Sequence, residues 1–372
     1  RKVAMEIPGA TTNPLISEYT FGVSGGVMDG ESGAPAASGA PVVAPGGGDT
    51  AVFSLQAQAL AASPASALDE TTFSASSFTT NFGANTVGFN NTSGAISWNG
   101  KTLNFTGLGI DIKGNTTDLA IQEDSGYLNV YDQTANKSYR FNLDGTQAKN
   151  ADNTAVLEAT NPVFSAANST VYINNTKNSV SGGADNDIII NRKDGATVDG
   201  GAGNDKIYNY AKSGVTITGG SAGKDSIYTV GLSNTSSITT NGTAGYIKVV
   251  GDMSDTTITM NGGKNSIDAA NSTFTNVNIA DTAAATSTVV NAKKIDGGTI
   301  ALKAGETGLV ATTLKATVNF GAGENSLRSD NVTGGTVSVA AGGDSVFNIR
   351  TISNSAIIDA ALRENPPVSI TR

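Results

Sequence analysis

A repeat of about 20 residues in the second half of the chain is the feature that most constrains the fold. Two rows of apolar residues recur at this period. The first row, in steps of 18 to 21 residues, is Val180, Val198, Ile217, Ile238, Ile258, Ile279, Ile300, Val318, Val337 and Ile357. The second row, in steps of 18 to 22 residues, is Val171, Ile189, Ile207, Ile227, Ile247, Ile267, Val289, Leu309, Leu327 and Val346. Two interleaved rows with one period predict two short strands per repeat, stacked as the rungs of a parallel β-solenoid.

We therefore predict an all-β protein with a parallel, β-roll-like solenoid over residues 161–360 and about 18–21 residues per rung. Glycine-rich turns separate the two rows, and the intervening residues, which are mostly Ser, Thr, Asn and Asp, are expected to face water. Because each rung buries its apolar side only against its neighbours, the ends need protection. The segment Asp359–Glu364, which precedes two prolines, is predicted to be a short capping helix. An antiparallel sandwich is the alternative, and the regular period disfavours it.

The chain before the repeat has a different character. Residues 1–50 are predicted to form an extended arm or linker because positions 31–48 are rich in Ala, Pro and Gly; a long ordered loop is the alternative. Residues 51–160 are predicted to form a small β-rich domain that precedes or caps the solenoid, with a short helix at Ser54–Ser63. Trp98, the only tryptophan, is expected in its core. Residues 361–372 are assigned as a C-terminal tail.

One antiparallel hairpin can be read directly from the alternation of apolar and polar residues. It is predicted to pair one strand with another across a polar turn, the apolar residues being Tyr127, Leu128, Val130 and Tyr131 on one side and Tyr139, Phe141 and Leu143 on the other.

The composition excludes several classes of function. The 372 residues include no cysteine and no histidine, so disulfides, thiolate metal sites, the usual zinc ligands and the usual general base are absent. The net charge is −9, and no run of lysine or arginine is present, which disfavours nucleic acid and anionic membranes as partners. No apolar stretch has the length of a membrane span, so membrane insertion is not expected. Any bound metal must be a hard cation that prefers oxygen ligands.

A glycine-rich nonapeptide carries the most specific signal. Residues Gly200–Tyr208, GGAGNDKIY, fit the pattern G-G-x-G-x-D-x-U-x, where U is a large apolar residue, at every specified position. One repeat earlier, Gly182–Ile190 (GGADNDIII) matches except at Asp185, and one repeat later, Gly219–Tyr228 (GGSAGKDSIY) matches with one inserted residue. This segment resembles the calcium-binding β-roll repeats of the RTX, or hemolysin-type, proteins, which include exported bacterial toxins, proteases, adhesins and surface-layer proteins.

The resemblance implies that Ca²⁺ is held between stacked rungs. The sixth-position residues Asp187, Asp205 and Asp225 are 18 and 20 residues apart, which places them on one edge of successive rungs. Calcium takes roughly six to eight oxygen ligands, and two stacked turns can supply carbonyls and carboxylates. One ion is expected between the rungs of Asp187 and Asp205, and a weaker one between those of Asp205 and Asp225. The implied ligand residues are Gly182, Ala184, Asp185, Asp187, Gly200, Ala202, Asn204, Asp205 and Asp225. Metal-free glycine turns are the alternative.

The chain also departs from the β-roll pattern. The opposite edge of these rungs reads NRKDGAT and YAKSGVT, without a second motif, so calcium is expected along one edge only. Further along, the aligned positions are Gly245, Asn265 and Asn325 before an aspartate returns at Asp344. Those later rungs are expected to stand without metal, held by ladders of Asn and Thr side chains and by the apolar rows.

Together these features favour a structural or adhesive protein of the bacterial cell surface, such as a segment of an S-layer, filament or adhesin, without enzymatic activity. It is expected to be extracellular and to assemble with copies of itself, with surface glycans as candidate partners and the terminal segments KVAMEI and PVSITR complementing a neighbour. A polysaccharide-active β-helix enzyme is one alternative, but no cluster of carboxylates, basic residues and aromatics recurs on successive rungs. A phage fibre or receptor-binding protein is the other, since it would share the solenoid and polar surface.

Overall fold

The computed structural model describes residues 70–158, 168–282, 284–303, 305–340, 345–353, 356–360 and 369–371. Within these ranges every regular element is a β-strand, and none is a helix that could cross a membrane. The fold is all-β, with a parallel β-solenoid of about nine rungs after a small antiparallel sheet, which confirms the predicted fold class. The predicted arm at 1–50 and helix at Ser54–Ser63 lie outside the described residues.

Five strands form an antiparallel meander, the N-terminal sheet. They are β1 (Glu70–Phe73), β2 (Ser77–Phe82), β3 (Asn85–Asn90), β4 (Ala95–Trp98) and β5 (Lys101–Thr102). Side chains alternate between the two faces of a strand, and one face of this sheet is apolar. Its members are cross-strand neighbours: Phe78 is opposite Phe89, which is opposite Ile96, and Val87 is opposite Trp98. All five side chains are buried, so Trp98 belongs to the core as predicted.

Four further antiparallel strands, called the cap, extend the solenoid sheet at its first edge. They are β6 (Leu119–Asp124), β7 (Tyr127–Asp132), β8 (Lys137–Asn142) and β9 (Leu157–Glu158). The predicted hairpin is β7–β8, with Leu128 opposite Phe141 and Val130 opposite Tyr139. Strand β6 pairs antiparallel with β10 (Val171–Asn174), the first strand of the solenoid. The cap therefore satisfies backbone groups that an open edge would expose.

The solenoid strands pair in parallel with the equivalent strands of neighbouring rungs. After β10 they are β11 (Ser179–Ser181), β12 (Ile188–Asn191), β13 (Thr197–Asp199), β14 (Lys206–Asn209), β15 (Thr216–Thr218), β16 (Lys224–Thr229), β17 (Ser237–Thr240), β18 (Ala244–Val249), β19 (Met253–Ser254), β20 (Thr257–Met260), β21 (Gly263–Thr275), β22 (Asn278–Asp281), β23 (Ala285–Leu302), β24 (Glu306–Phe320), β25 (Glu324–Val339), β26 (Ser345–Ile352), β27 (Ile357–Ala360) and β28 (Ser369–Thr371).

The first apolar row is confirmed from Val180 to Val337, where each residue pairs with the next one in the row. Its last member is wrong by one position. Val337 pairs with Ile358, whereas Ile357 is 51% exposed. Because successive side chains point to opposite faces of a strand, a shift of one residue exchanges the inside for the outside.

The second row is confirmed at Ile189, Ile207, Ile227, Ile247, Ile267, Leu309 and Leu327. Three of its members are wrong by one residue. The positions predicted at Val171, Val289 and Val346 are taken by Tyr172, Val290 and Phe347. At each of these sites two apolar residues are adjacent in sequence, so the period alone cannot say which one faces inward.

The interior also holds a third apolar row that the two-strand prediction lacks. It consists of Met253, Phe274, Ile295, Leu314, Val332 and Ile352, which pair in succession from β19 to β26. Its members from Met253 to Val332 are at most 1% exposed. From β19 onward each rung therefore has three strand segments around the core.

The C-terminal predictions need correction. Asp359 and Ala360 belong to β27, so the predicted helix is wrong at its start, and residues 361–364 lie outside the described residues. The assigned tail contributes β28, which pairs in parallel with β26 of the same chain. Part of PVSITR thus adds to the chain's own solenoid.

Candidate metal centre

The three motif aspartates form a stacked column inside one corner of the solenoid. Asp187 and Asp205 immediately precede β12 and β14, and Asp225 is the second residue of β16. Their exposed fractions are 2%, 0% and 1%. The same column continues through Gly245 and Asn265 in parallel register. The structure thus brings together the three aspartates that the spacing aligned, and it buries them.

One oxygen of each carboxylate is used in a hydrogen-bond ladder along the solenoid axis. The backbone N–H of Thr170 donates to Asp187 Oδ1 at 2.7 Å, that of Asp187 donates to Asp205 Oδ1 at 2.8 Å, and that of Asp205 donates to Asp225 Oδ1 at 3.1 Å. The second oxygen of Asp187 accepts the N–H of Gly183. In contrast, Oδ2 of Asp205 and Oδ2 of Asp225 are buried without a hydrogen-bond partner. A buried acceptor left in this state costs free energy unless something else satisfies it.

Glycines make room for these second oxygens. A Cβ atom added to Gly182 would lie 2.5 Å from Asp187 Oδ2, one added to Gly200 would lie 2.7 Å from Asp205 Oδ2, and one added to Gly219 would lie 2.8 Å from Asp225 Oδ2. Real Cβ atoms do not approach this closely. At Gly182 and Gly200 the added atom would lie closer still to a backbone oxygen of the next rung, that of Gly200 at 2.0 Å and that of Gly219 at 1.9 Å. The first glycine of each motif is therefore required because the carboxylate and, at these two positions, the neighbouring backbone occupy the space where a side chain would begin.

The column has an unfavourable electrostatic environment as it stands. None of the ion pairs among the described residues involves Asp187, Asp205 or Asp225. Burial raises the pKa of Asp187 to about 6, that of Asp205 to about 8 and that of Asp225 to about 7. The neighbouring carboxylates raise the pKa of Asp205 further. Near neutral pH, such a column must either hold protons or bind a cation.

Later rungs show how the same corner is filled without charge. The Asn325 side chain donates from Nδ2 to the carbonyls of Gly321 and Gly323, both at 3.0 Å. These glycines precede Asn325 by four and two residues, as Gly201 and Gly203 precede Asp205. Asn265 likewise donates to the carbonyl of Gly262 at 2.8 Å. An amide thus supplies the N–H donor that a carboxylate lacks, so this corner is filled there by an uncharged side chain whose donor is hydrogen-bonded. Asp344 lies outside the described residues.

The remaining implied ligands stand apart from the carboxylate column. Asp185 is half-buried, and its Oδ1 accepts the N–H of Asn186 at 2.9 Å. Asn204 is exposed, and its Oδ1 accepts the N–H of Lys224 on the next rung at 2.8 Å. Ala184 and Ala202 have only backbone oxygens to offer, and the N–H of Ala202 bonds the Gly183 carbonyl. Across the described residues no three acidic side chains form a metal-ligand cluster. A cation here would take its remaining oxygens from the backbone.

Sequence reasoning missed two features around this site. The other end of the same strands carries a buried amide ladder, in which Asn174 donates to Asn191 at 2.9 Å and Asn191 donates to Asn209 at 2.8 Å. The recurrence of asparagine at steps of 17 and 18 residues was its available signal. The second feature is the cover on the outer face: Tyr208 and Tyr228, which received no assignment from the sequence, are at most 1% exposed under the N-terminal sheet.

Comparisons with known protein families, with curated proteins and with solved structures found no match.

Proposed function

We propose that the first rungs of this solenoid bind Ca²⁺ and that the protein is a structural component of a bacterial cell surface. The observation that carries the calcium proposal is the column of three buried carboxylates that have no cationic partner among the described residues. Two of them have a buried carboxyl oxygen that accepts no hydrogen bond. A hard divalent cation would satisfy both the charge and the open oxygens.

The column offers places for two ions. Asp187 and Asp205 would hold one, and Asp205 and Asp225 would hold the other, with turn carbonyls completing each shell. Calcium supplies positive charge and tolerates irregular oxygen geometry, which suits turns that differ by one inserted residue. Because an ion bound to the folded state adds stability by mass action, calcium would stabilise the rungs that hold it.

The surface role rests on the kind of molecule that the chain forms. A capped, low-charge β-solenoid without cysteine or histidine suits a stiff structural element better than a catalyst. Calcium is abundant outside the cell, so the ion would stabilise the chain after its export. Assembly with further copies, and adhesion to surface glycans, are part of this proposal.

The calcium proposal is tested by isothermal titration of the chelator-treated chain with Ca²⁺ and with Mg²⁺ at about pH 8. We expect saturable binding of Ca²⁺, with Asp205→Asn losing it because Asp205 belongs to both sites. Asp194→Asn is the matched control, since Asp194 also accepts the N–H of a residue on the next rung, Lys212, at 2.7 Å, but is exposed. If the wild-type chain binds no Ca²⁺, the proposed metal centre is wrong.

The assembly proposal needs its own measurement. Light scattering of the chain at rising protein concentration, in calcium and in chelator, should show species larger than a monomer. A monomer at all concentrations under both conditions would contradict self-assembly and leave the calcium proposal untouched.

A further inference from the structure

The N-terminal sheet covers the same rungs that carry the aspartate column. Its apolar face packs against the outer faces of β12, β14 and β16. Past these strands, Tyr246 on β18 is the last aromatic residue of this interface. Each of the three covered strands has one motif aspartate at or next to its start. The two features thus occupy the inner and outer sides of the same three strands.

The contacts between the N-terminal sheet and these rungs are specific. The rings of Phe78 and Tyr208 stack with centroids 3.6 Å apart, and Phe73 lies 5.8 Å from Tyr208 and 5.4 Å from Tyr228. Lys206 Nζ donates to Thr80 Oγ1 and to the Asn81 carbonyl, both at 2.9 Å. These contacts need the rungs at their native spacing, because Phe73 bridges two adjacent rungs.

A second anchor lies at the C-terminal end of β12. Arg192 donates from Nε to Asn91 Oδ1 at 2.8 Å and from an Nη atom to the Asn91 carbonyl at 3.0 Å. Its guanidinium group also lies 5.8 Å from the centre of the Phe89 ring. The N-terminal sheet is thus attached to the strand that follows Asp187 as well as to the strand that follows Asp205.

The inner and outer positions are adjacent along the chain. Asp205 points into the corner, and the next residue, Lys206, contacts the N-terminal sheet. Ile188 follows Asp187 directly and is 0% exposed in the cluster that includes Phe78 and Trp98. Tyr208 and Tyr228 stack at 4.8 Å, which matches the spacing of neighbouring strands, about 4.7–4.9 Å. Residues on the outer surface, such as Lys206 and Tyr208, are only one and three positions from a motif aspartate. A change in rung spacing at the carboxylates therefore also changes the spacing of the outer contacts.

We propose that cation binding at the aspartate column and docking of the N-terminal sheet on β12, β14 and β16 are coupled, so that each strengthens the other. The coupling rests on the proposed calcium site. When the cation is removed at about pH 8, the carboxylates that remain ionised on adjacent rungs, 18 and 20 residues apart in sequence, repel one another and loosen the spacing that the aromatic contacts require. Coupling between two sites is reciprocal: calcium must favour docking by the same factor by which docking favours calcium.

Trp98 reports the docked state in the full chain. It is the only tryptophan, it is 1% exposed, and it lies in the apolar face that packs on the solenoid. Quenching of its fluorescence by acrylamide should therefore be weak in calcium and clearly stronger in chelator. The second readout is the calcium dissociation constant of Lys206→Ala, which we expect to be raised at least about fivefold, the lower end of typical coupling.

Two variants guard against a trivial result. Lys248→Ala removes a lysine from the outer face of β18, where Lys248 pairs with Asp268 at 3.2 Å instead of with the N-terminal sheet; its calcium affinity should equal that of the wild type. Thr80→Val weakens the Lys206 contact from the opposite side while keeping the shape of the side chain, and it should reproduce the effect of Lys206→Ala.

The outcomes separate the two proposals. If the wild-type chain binds calcium but Trp98 quenching is the same with and without it, and Lys206→Ala binds calcium like Lys248→Ala, the coupling is refuted and the metal centre stands. If the wild-type chain binds no calcium, both are refuted.

Discussion

Replacing Asp205 with asparagine should stabilise the calcium-free protein at mildly alkaline pH, although it removes a residue of the proposed metal centre. The asparagine keeps an Oδ1 that can accept the N–H of Asp187, now bonded at 2.8 Å. It also brings an Nδ2 donor into the corner, where Asn325 uses the same group to bind two turn carbonyls. The variant thus replaces a buried charge without a partner by a group that the same solenoid already accommodates.

The magnitude follows from the pKa of Asp205, which burial raises from 3.8 to about 8. Each unit of difference corresponds to about 1.4 kcal/mol, so full ionisation in the folded state costs about 6 kcal/mol at most. Because the folded-state pKa is above the unfolded value, the folded protein binds more protons. Its free energy of unfolding should therefore fall as pH rises from about 4 to about 8. In Asp205→Asn the free energy of unfolding should fall less over this pH range. Part of the decline should remain, because Asp187 and Asp225 still titrate with raised pKa values.

Urea unfolding in chelator at pH 5 and at pH 8 tests this reasoning. We expect the wild-type chain to lose several kcal/mol between the two pH values and Asp205→Asn to lose much less, so that the variant is the more stable protein at pH 8. Asp194→Asn, which alters an exposed carboxylate that also accepts a backbone N–H from the next rung, should follow the wild type. A variant less stable than the wild type at pH 8 in chelator would refute the argument that the buried charge is uncompensated.

Three further substitutions, two of them with a control variant, test the fold itself. Gly200→Ala should cost more than about 2 kcal/mol of unfolding free energy, because its methyl group would lie 1.9 Å from the Gly219 carbonyl oxygen and 2.7 Å from a carboxyl oxygen of the column. Gly305→Ala should be close to neutral in the same urea titration, because the nearest atom to its methyl group, the Thr286 carbonyl oxygen, would lie at an ordinary van der Waals distance of 3.6 Å. Phe274→Ala should cost about 3–5 kcal/mol if the third row is part of the core, whereas thermal melting should hardly change for the exposed neighbour in Thr275→Ala. Asn191→Ala breaks the amide ladder at its middle and should cost about 1–3 kcal/mol by calorimetry; no loss would mean that solvent replaces the ladder.

The sequence by itself determined the architecture and the place of the candidate site. In a parallel solenoid, residues one period apart stack directly on one another, so a spacing along the chain is already a distance in space. For this reason the row from Val180 to Val337 and the column of Asp187, Asp205 and Asp225 could be predicted without a structure. The glycines of the motif followed from the same spacing, because the turns repeat with the strands.

Only the tertiary structure decided what surrounds these rungs. Which of two adjacent apolar residues faces the core, such as Ile357 or Ile358, depends on the pairing with the neighbouring strand and not on the period. The third row was not predicted because its strand segments begin only at β19. From β21 onward they are parts of long strands that also carry residues of the other rows. The cover over Tyr208 and Tyr228 joins residues more than a hundred positions apart, as in the bond between Lys206 and Thr80. A contact between residues so far apart in sequence leaves no local sequence pattern, since it depends on the shapes of two separately formed surfaces.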